Sequence, residues 1–174
     1  MKKILWTLLA ASLLIVGYWL ISPLFIDREV SERLEDIMSK AEELPPSPAP
    51  SGNGADQPAI SGKPEVLPQS IASGAFTGLA GHSGEGTASL LRLEGKYYIR
   101  FEDDFRVTNG PDLFVHFGSN NSYDSGARIS PLKGNIGGQN YEIPEGIDPE
   151  KYDEIWIWCR AFAVPFAKAV LEKA

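Results

Sequence analysis

Hydrophobic and polar positions are divided unevenly along this chain, and the division predicts four segments. Residues 4–26 contain no charged side chain. As a helix this run would be about 35 Å long, at roughly 1.5 Å per residue, enough to cross the hydrocarbon core of a bilayer. Over residues 27–44, Val30, Leu34, Ile37, Met38, Ala41 and Leu44 recur at helical spacing between acidic and basic side chains, which predicts a short helix. Pro45-Pro46 ends it. Seven of the 13 prolines then fall between Pro45 and Pro68. Such a stretch buries too little apolar surface to offset its ordering entropy, so residues 45–70 read as a flexible, partly polyproline linker. Short β-type runs follow at 87–93, 96–101, 112–117, 141–143 and 154–159. Gly95, Asn109-Gly110, Asn120-Asn121, Gly134-Asn135, Gly137-Gly138 and Glu145-Gly146 punctuate them. No sustained helical periodicity interrupts these runs. The pattern predicts an all-β domain over residues 71–172, an antiparallel β-sandwich or small barrel, large enough to bury its own core.

The flanks of the apolar run give it a direction. Lys2-Lys3 precede it, and Asp27 and Glu29 follow. The positive-inside rule then puts the N-terminus in the cytoplasm and the β-domain outside the cell membrane. A cleaved secretory signal opens in the same way. The run is longer than the usual apolar region of a signal, however, and Trp19 to Ile26 holds no small-x-small cleavage site. Residues 1–26 therefore read as an uncleaved, single-pass anchor whose partner is the lipid bilayer. The helix over 27–44 could pair with a second copy, but it is under three heptads long. Lying on lipid or fraying in water is the favoured expectation.

Charge and composition narrow the chemistry. A net charge of −7 argues against binding to a phosphate backbone, so no nucleic-acid partner is expected. One cysteine excludes an internal disulfide and any Cys-only zinc or iron–sulfur site, and two histidines exclude a three-His metal centre. Cys159 ends the run Ile155-Trp156-Ile157-Trp158-Cys159. By alternation it shares a face with Ile155 and Ile157, while Trp156, Trp158 and Arg160 take the other. If the isoleucines face the core, Cys159 is a small buried hydrophobe; otherwise it is a redox thiol. Trp156 and Trp158 then form a contact patch for a partner or a flat ligand. Cys159 with His82 and His116 has the flavour of a copper or haem donor set, but no His or Met follows the cysteine closely. His116 alternates with core-type residues, whereas His82 lies in a Gly-rich loop and is the better-placed ligand. No P-loop, EF-hand or hydrolase constellation is present, so a self-sufficient catalytic site is not expected.

Two stretches resemble the signature of the DM-thirteen domain family. One is Arg100-Phe-Glu-Asp-Asp-Phe-Arg-Val-Thr-Asn-Gly-Pro-Asp-Leu113, and the other is Leu132-Lys-Gly-Asn-Ile-Gly-Gly-Gln-Asn-Tyr-Glu-Ile-Pro144. The closing run from Ile157 to Ala167, with Gly74-x-Phe76 and His82-x-Gly84 upstream, is similar to that family's remaining motifs. Gly138 stands where the family often has Asp, and Asp103-Asp104 carries one acid more than usual, so no carboxylate role is carried to position 138. The resemblance implies an extracytoplasmic β-domain of the kind found beside haem-binding DOMON and cytochrome modules, with a redox or electron-transfer role centred on Cys159. It also marks Asn109, Gly110, Pro111, Asp112, Gly134, Asn135, Gln139, Asn140 and Tyr141 as signature residues with a structural part. Any electron carrier would be a separate chain or a group held near Cys159 and His82. The alternative expectation is a non-redox binding or adhesion module displayed on a flexible tether.

Overall fold

The computed structural model describes residues 2–21, 26–42 and 67–174. The linker expected over 45–70 lies outside them except at its last four positions. The expected anchor is described as helix α1, Lys2–Ile21, and residues 22–25 fall outside. Among the described residues no helix is long and apolar enough to cross a membrane.

The remainder is mostly antiparallel β. Its strands are β1 (Gln69–Gly78), β2 (Gly84–Glu85), β3 (Thr87–Leu93), β4 (Lys96–Phe101), β5 (Arg106–Val107), β6 (Leu113–Ser119), β7 (Ser122–Pro131), β8 (Gln139–Glu142), β9 (Glu154–Cys159), β10 (Val164–Val170) and β11 (Glu172–Lys173). They form one curled sheet in the order β7-β6-β9-β10-β1-β3-β4-β8, with β11 on β1 and a separate ribbon of β2 and β5. The sheet is a half-barrel. β1 sits at its middle because it changes partners along one edge: Ala72 and Ser73 pair with β11, and Phe76 to Gly78 pair with β10. Its other edge pairs with β3.

Local chemistry explains the turns. Asn120 and Asn121 both have positive φ (56° and 63°) and close the β6–β7 hairpin in two residues. Glu94 and Gly95 do the same between β3 and β4, at 49° and 82°. Two consecutive left-handed residues match the right-handed twist of the strands they join.

The curl encloses the core. Phe76, Phe101 and Phe105 meet at centroid separations of 4.5–5.0 Å. Val115, Phe117, Ile155, Ile157 and Cys159 are buried against them from the other arm of the sheet. Alternation along β9 therefore holds as expected, since both isoleucines and Cys159 join the core and neither tryptophan does.

The segment after the anchor departs from expectation. Among the described residues of that segment Leu34–Glu42 is helical (α2), and its apolar side chains Leu34, Ile37 and Met38 pack on the β-domain rather than on lipid. Ile37 is buried with Leu91, Leu93 and Tyr98 of the β-domain, and Leu34 and Met38 pack beside it. The carboxylate of Asp36 accepts the Arg33 N–H at 2.6 Å, the back-reaching half of a capping box. Residues 26–33 are an extended strap. Glu29 pairs parallel with Ile136, the Val30 N–H donates to the Ile136 carbonyl at 3.0 Å, and the Glu32 N–H donates to the Gly138 carbonyl at 2.9 Å. Of the expected stripe, Leu34, Ile37 and Met38 lie on α2 and pack on this chain's own sheet, whereas Val30 belongs to the strap.

Since the main core lies wholly after residue 71, a chain beginning at Leu67 is expected to fold cooperatively. It is also expected to be less stable than one beginning at Ile26 by about 2–4 kcal/mol, the scale of burying two or three aliphatic side chains after losses. Urea melts of the two chains measure the difference; equal midpoints would mean that the strap and α2 contribute nothing.

Candidate functional site

The two signature stretches meet. A cavity of about 460 Å3 is lined by Asn109, Gly110, Pro111, Asp112 and Leu113 from one stretch and by Leu132, Lys133, Gly134 and Asn135 from the other, with Pro131 beside them. Ile26, Asp27 and Arg28 of the strap complete the wall. The Leu132 N–H donates to the Leu113 carbonyl at 2.8 Å and ties the two stretches together. Asn109 accepts the Gly110 N–H through Oδ1 at 2.9 Å and donates through Nδ2 to the Ile26 carbonyl. Asp112 is held by Arg160 through Nε at 2.8 Å and a terminal nitrogen at 3.2 Å. That pair is largely exposed, so its main effect is orientation rather than stability. The Arg160 guanidinium also lies 4.7 Å from the Phe114 ring centroid.

Gln139 shapes the second stretch from beneath. It is fully buried, and its Nε2 donates to the carbonyls of Gly134 and Gly137 at 2.8 and 3.2 Å. Its Oε1 accepts from the Gly134 N–H at 3.0 Å and from the Tyr141 hydroxyl at 2.6 Å. Burial pushes the Tyr141 hydroxyl far up, so it stays protonated as that donor. These bonds bend residues 134–138 into a loop whose backbone faces the strap.

The other signature residues hold the strap itself. Asn135 accepts the Arg28 N–H at 2.7 Å and donates to the Asp27 carboxylate at 2.8 Å. The Glu32 carboxylate takes the Lys133 Nζ at 2.7 Å through both oxygens and the Asn140 N–H at 2.7 Å. Asn140 Nδ2 donates to the Arg33 carbonyl at 2.7 Å. Arg100, buried to 7% exposure, donates to the Glu32 carbonyl, Asn140 Oδ1, Glu102 and Asp103. A Cβ at Gly134 or Gly137 would lie about 2.3 or 2.1 Å from a strap carbonyl oxygen. At Gly138 it would meet the Asp103 carboxylate at 2.4 Å and the Glu32 carbonyl at 2.8 Å. The departure noted at position 138 thus leaves room for the strap.

The proposed redox and ligand residues do not converge on the cavity. Cys159 is fully buried, in register with Leu113 on one side and Val164 on the other, and does not line the cavity. His82 stacks on Phe166 with centroids 3.7 Å apart. His116 is buried on β6 with Nδ1 3.2 Å from the Asp124 carbonyl oxygen. Among the described residues no three His, Cys, Asp or Glu side chains gather as a metal requires. No His, Cys or Met lines the cavity, so the residues present do not fit copper or haem there. Trp156 is buried as well, contrary to the expected patch. Its Nε1 donates to Glu154 at 3.0 Å, and the Lys168 ammonium lies 5.4 Å from its ring centroid. Burial opposes ionisation of Glu154, but hydrogen bonds from Lys168 and Trp156 outweigh it and hold that carboxyl below its ordinary range. Trp158 is half-buried and stacks on Tyr123 with centroids 3.9 Å apart.

Arg28, Val30, Glu32, Arg100 and Lys133 were given no site role from the sequence, although the last two fall within the signature stretches. The first three had a weak signal: Asp27 to Arg33 holds a single bulky apolar residue, too few for a helical face of its own.

Residues 75–171 match the family described as Electron transfer DM13. That is more than half of the chain, and the chain belongs to this family. No curated protein and no solved structure matches it.

His116 gives the site's neighbouring strand a pH dependence. Burial, joined by the Arg128 charge, lowers its pKa against the opposing hydrogen bond to Asp124. The unfolded chain, titrating near pH 6.5, therefore takes up this proton first as the pH falls. The contribution to stability is intact above about pH 6.5 and is lost as the pH drops toward the folded value. His116→Gln is expected to flatten that part of the profile in urea melts at about pH 7.5 and about pH 5. Parallel profiles for variant and parent would contradict it.

Proposed function

We propose that this protein is a membrane-anchored, outward-facing member of the Electron transfer DM13 family that works by binding, with a ligand or partner protein seated in the cavity between the two signature stretches. The observation that carries this reading is that both stretches line one cavity while Cys159 lies fully buried behind it. A thiol without solvent access cannot exchange with a partner in the folded domain. The anchor is supported by Lys2-Lys3 ahead of the whole uncharged run of residues 4–26, which extends beyond α1, and by Ile4, Trp6, Leu13, Leu14 and Ile15, each more than 60% exposed. A helix apolar on all sides suits lipid better than water. The topology proposed is N-terminus cytoplasmic and β-domain extracytoplasmic. The role is that of a binding module rather than an enzyme.

A second reading is electron transfer through Cys159. The family's description favours it, as does the register of Cys159 with Leu113, which lines the cavity.

Thiol titration of the native protein, taken with its visible spectrum, separates the two. The binding reading expects a colourless protein whose Cys159 reacts only after denaturation, and whose Cys159→Ser variant keeps partner binding. Rapid labelling of the native thiol would overturn it in favour of thiol chemistry. Visible absorption lost in Cys159→Ser or His82→Ala would overturn it in favour of a bound redox group.

A further inference from the structure

The strap changes where the domain stands. The sequence alone suggests that the β-domain hangs from the anchor through everything up to its first strand. From Ile21 to Leu67 that is 46 residues, a flexible reach of about 40 Å root-mean-square and far more when stretched. The folded unit, however, begins at residue 26. Four residues, and so five Cα-to-Cα steps, separate Ile21, the end of α1, from Ile26, whose carbonyl is already bonded to Asn109. Fully extended, five such steps span about 18 Å. Both ends of the stretch between α2 and Leu67 belong to the folded unit, so it bears no load between anchor and domain.

We infer that residues 26–33 clasp the β-domain to the foot of the anchor, so that the domain and its cavity are held at the bilayer surface rather than displayed at the end of a tether. The clasp has three parts that act together. The first is backbone pairing of Val30 and Glu32 with Ile136 and Gly138. The second is recognition of the Glu32 carboxylate by the Lys133 ammonium and the Asn140 N–H. The third is the fit of the strap carbonyls of Arg28 and Val30 over Gly134 and Gly137. Extended-segment pairing reinforced by charge-assisted bonds is a general way for a sheet to hold a peptide. Arg28 and Ile26 line the cavity, so the cavity is tied to the same short reach. The membrane side of this inference rests on the anchor proposed above; the clasp itself does not.

A recognition sequence for a site-specific protease, inserted between Gly52 and Asn53 of the full chain, tests it in phosphatidylcholine vesicles. The uncut chain is expected to float with the vesicles. After cutting, the domain is expected to stay with them, held by the clasp together with the packing of α2 on Leu91, Leu93 and Tyr98. Gly134→Ala places a methyl group whose nearest neighbours are the Arg28 carbonyl and the Val30 side chain. Glu32→Lys turns the contact with Lys133 into repulsion without touching the domain's own residues. Each is expected to raise the domain released by cutting about tenfold, the change expected for a loss of about 1.4 kcal/mol. An uncut chain that stays in the aqueous phase would overturn the anchor, and the surface docking with it. A chain that floats but loses its domain on cutting, or keeps it equally in both variants, would overturn the clasp and leave the anchor standing.

Discussion

A second backbone can lie against residues 134–138 only because Gly134, Gly137 and Gly138 carry no Cβ. The strap carbonyls of Arg28, Val30 and Glu32 occupy the space that side chains there would need. The rest of the molecule is organised around that approach. Gln139, buried and bonded on both sides of its amide, sets the curve of the loop from below. Lys133 and Asn140 then receive Glu32 from above. With the strap in place, Asn135 and Asn140 have partners for their polar atoms, and the Asn140 N–H at the edge strand β8 is not left open. An unpaired edge is a liability in a sheet, and here part of this chain covers it.

The same geometry separates two jobs that the sequence merges. Cys159 and the isoleucines of β9 belong to the core, where packing density rather than reactivity governs the residue chosen. The signature residues instead line the cavity and seat the strap. Asn109 and Asn135 serve both, since each lines the cavity and bonds the strap. Anything that seats in the cavity would therefore touch the elements that hold the strap.

Most of the sheet was legible in the residues. Strands β3, β4 and β9 fall at the expected positions because their alternation is clean and their turns carry Gly or Asn. Strand β1 was missed because its sequence, Gln-Ser-Ile-Ala-Ser-Gly-Ala-Phe-Thr-Gly, is small and polar. The structure supplies the reason at Gly74, where a Cβ would meet the Val170 carbonyl at 2.0 Å. β7 was missed because it is an edge strand with few buried side chains, Ala127 and Ile129 among them. The half-barrel itself was not legible, since curvature depends on the partner change along β1 rather than on any local pattern. The signature residues were recognised as a set, but their partner was not. The strap lies about a hundred positions upstream, and its bonds are mostly backbone and carboxylate contacts that leave no periodic trace.

Hydrogen exchange at the strap tests the account most directly. The amides of Val30 and Glu32 donate to Ile136 and Gly138, so in the native full chain they are expected to exchange on the slow scale of the sheet, at least about a hundredfold slower than in an unstructured peptide. Exchange of both amides at the unprotected rate, while those of β3 and β4 remain slow, would contradict the clasp.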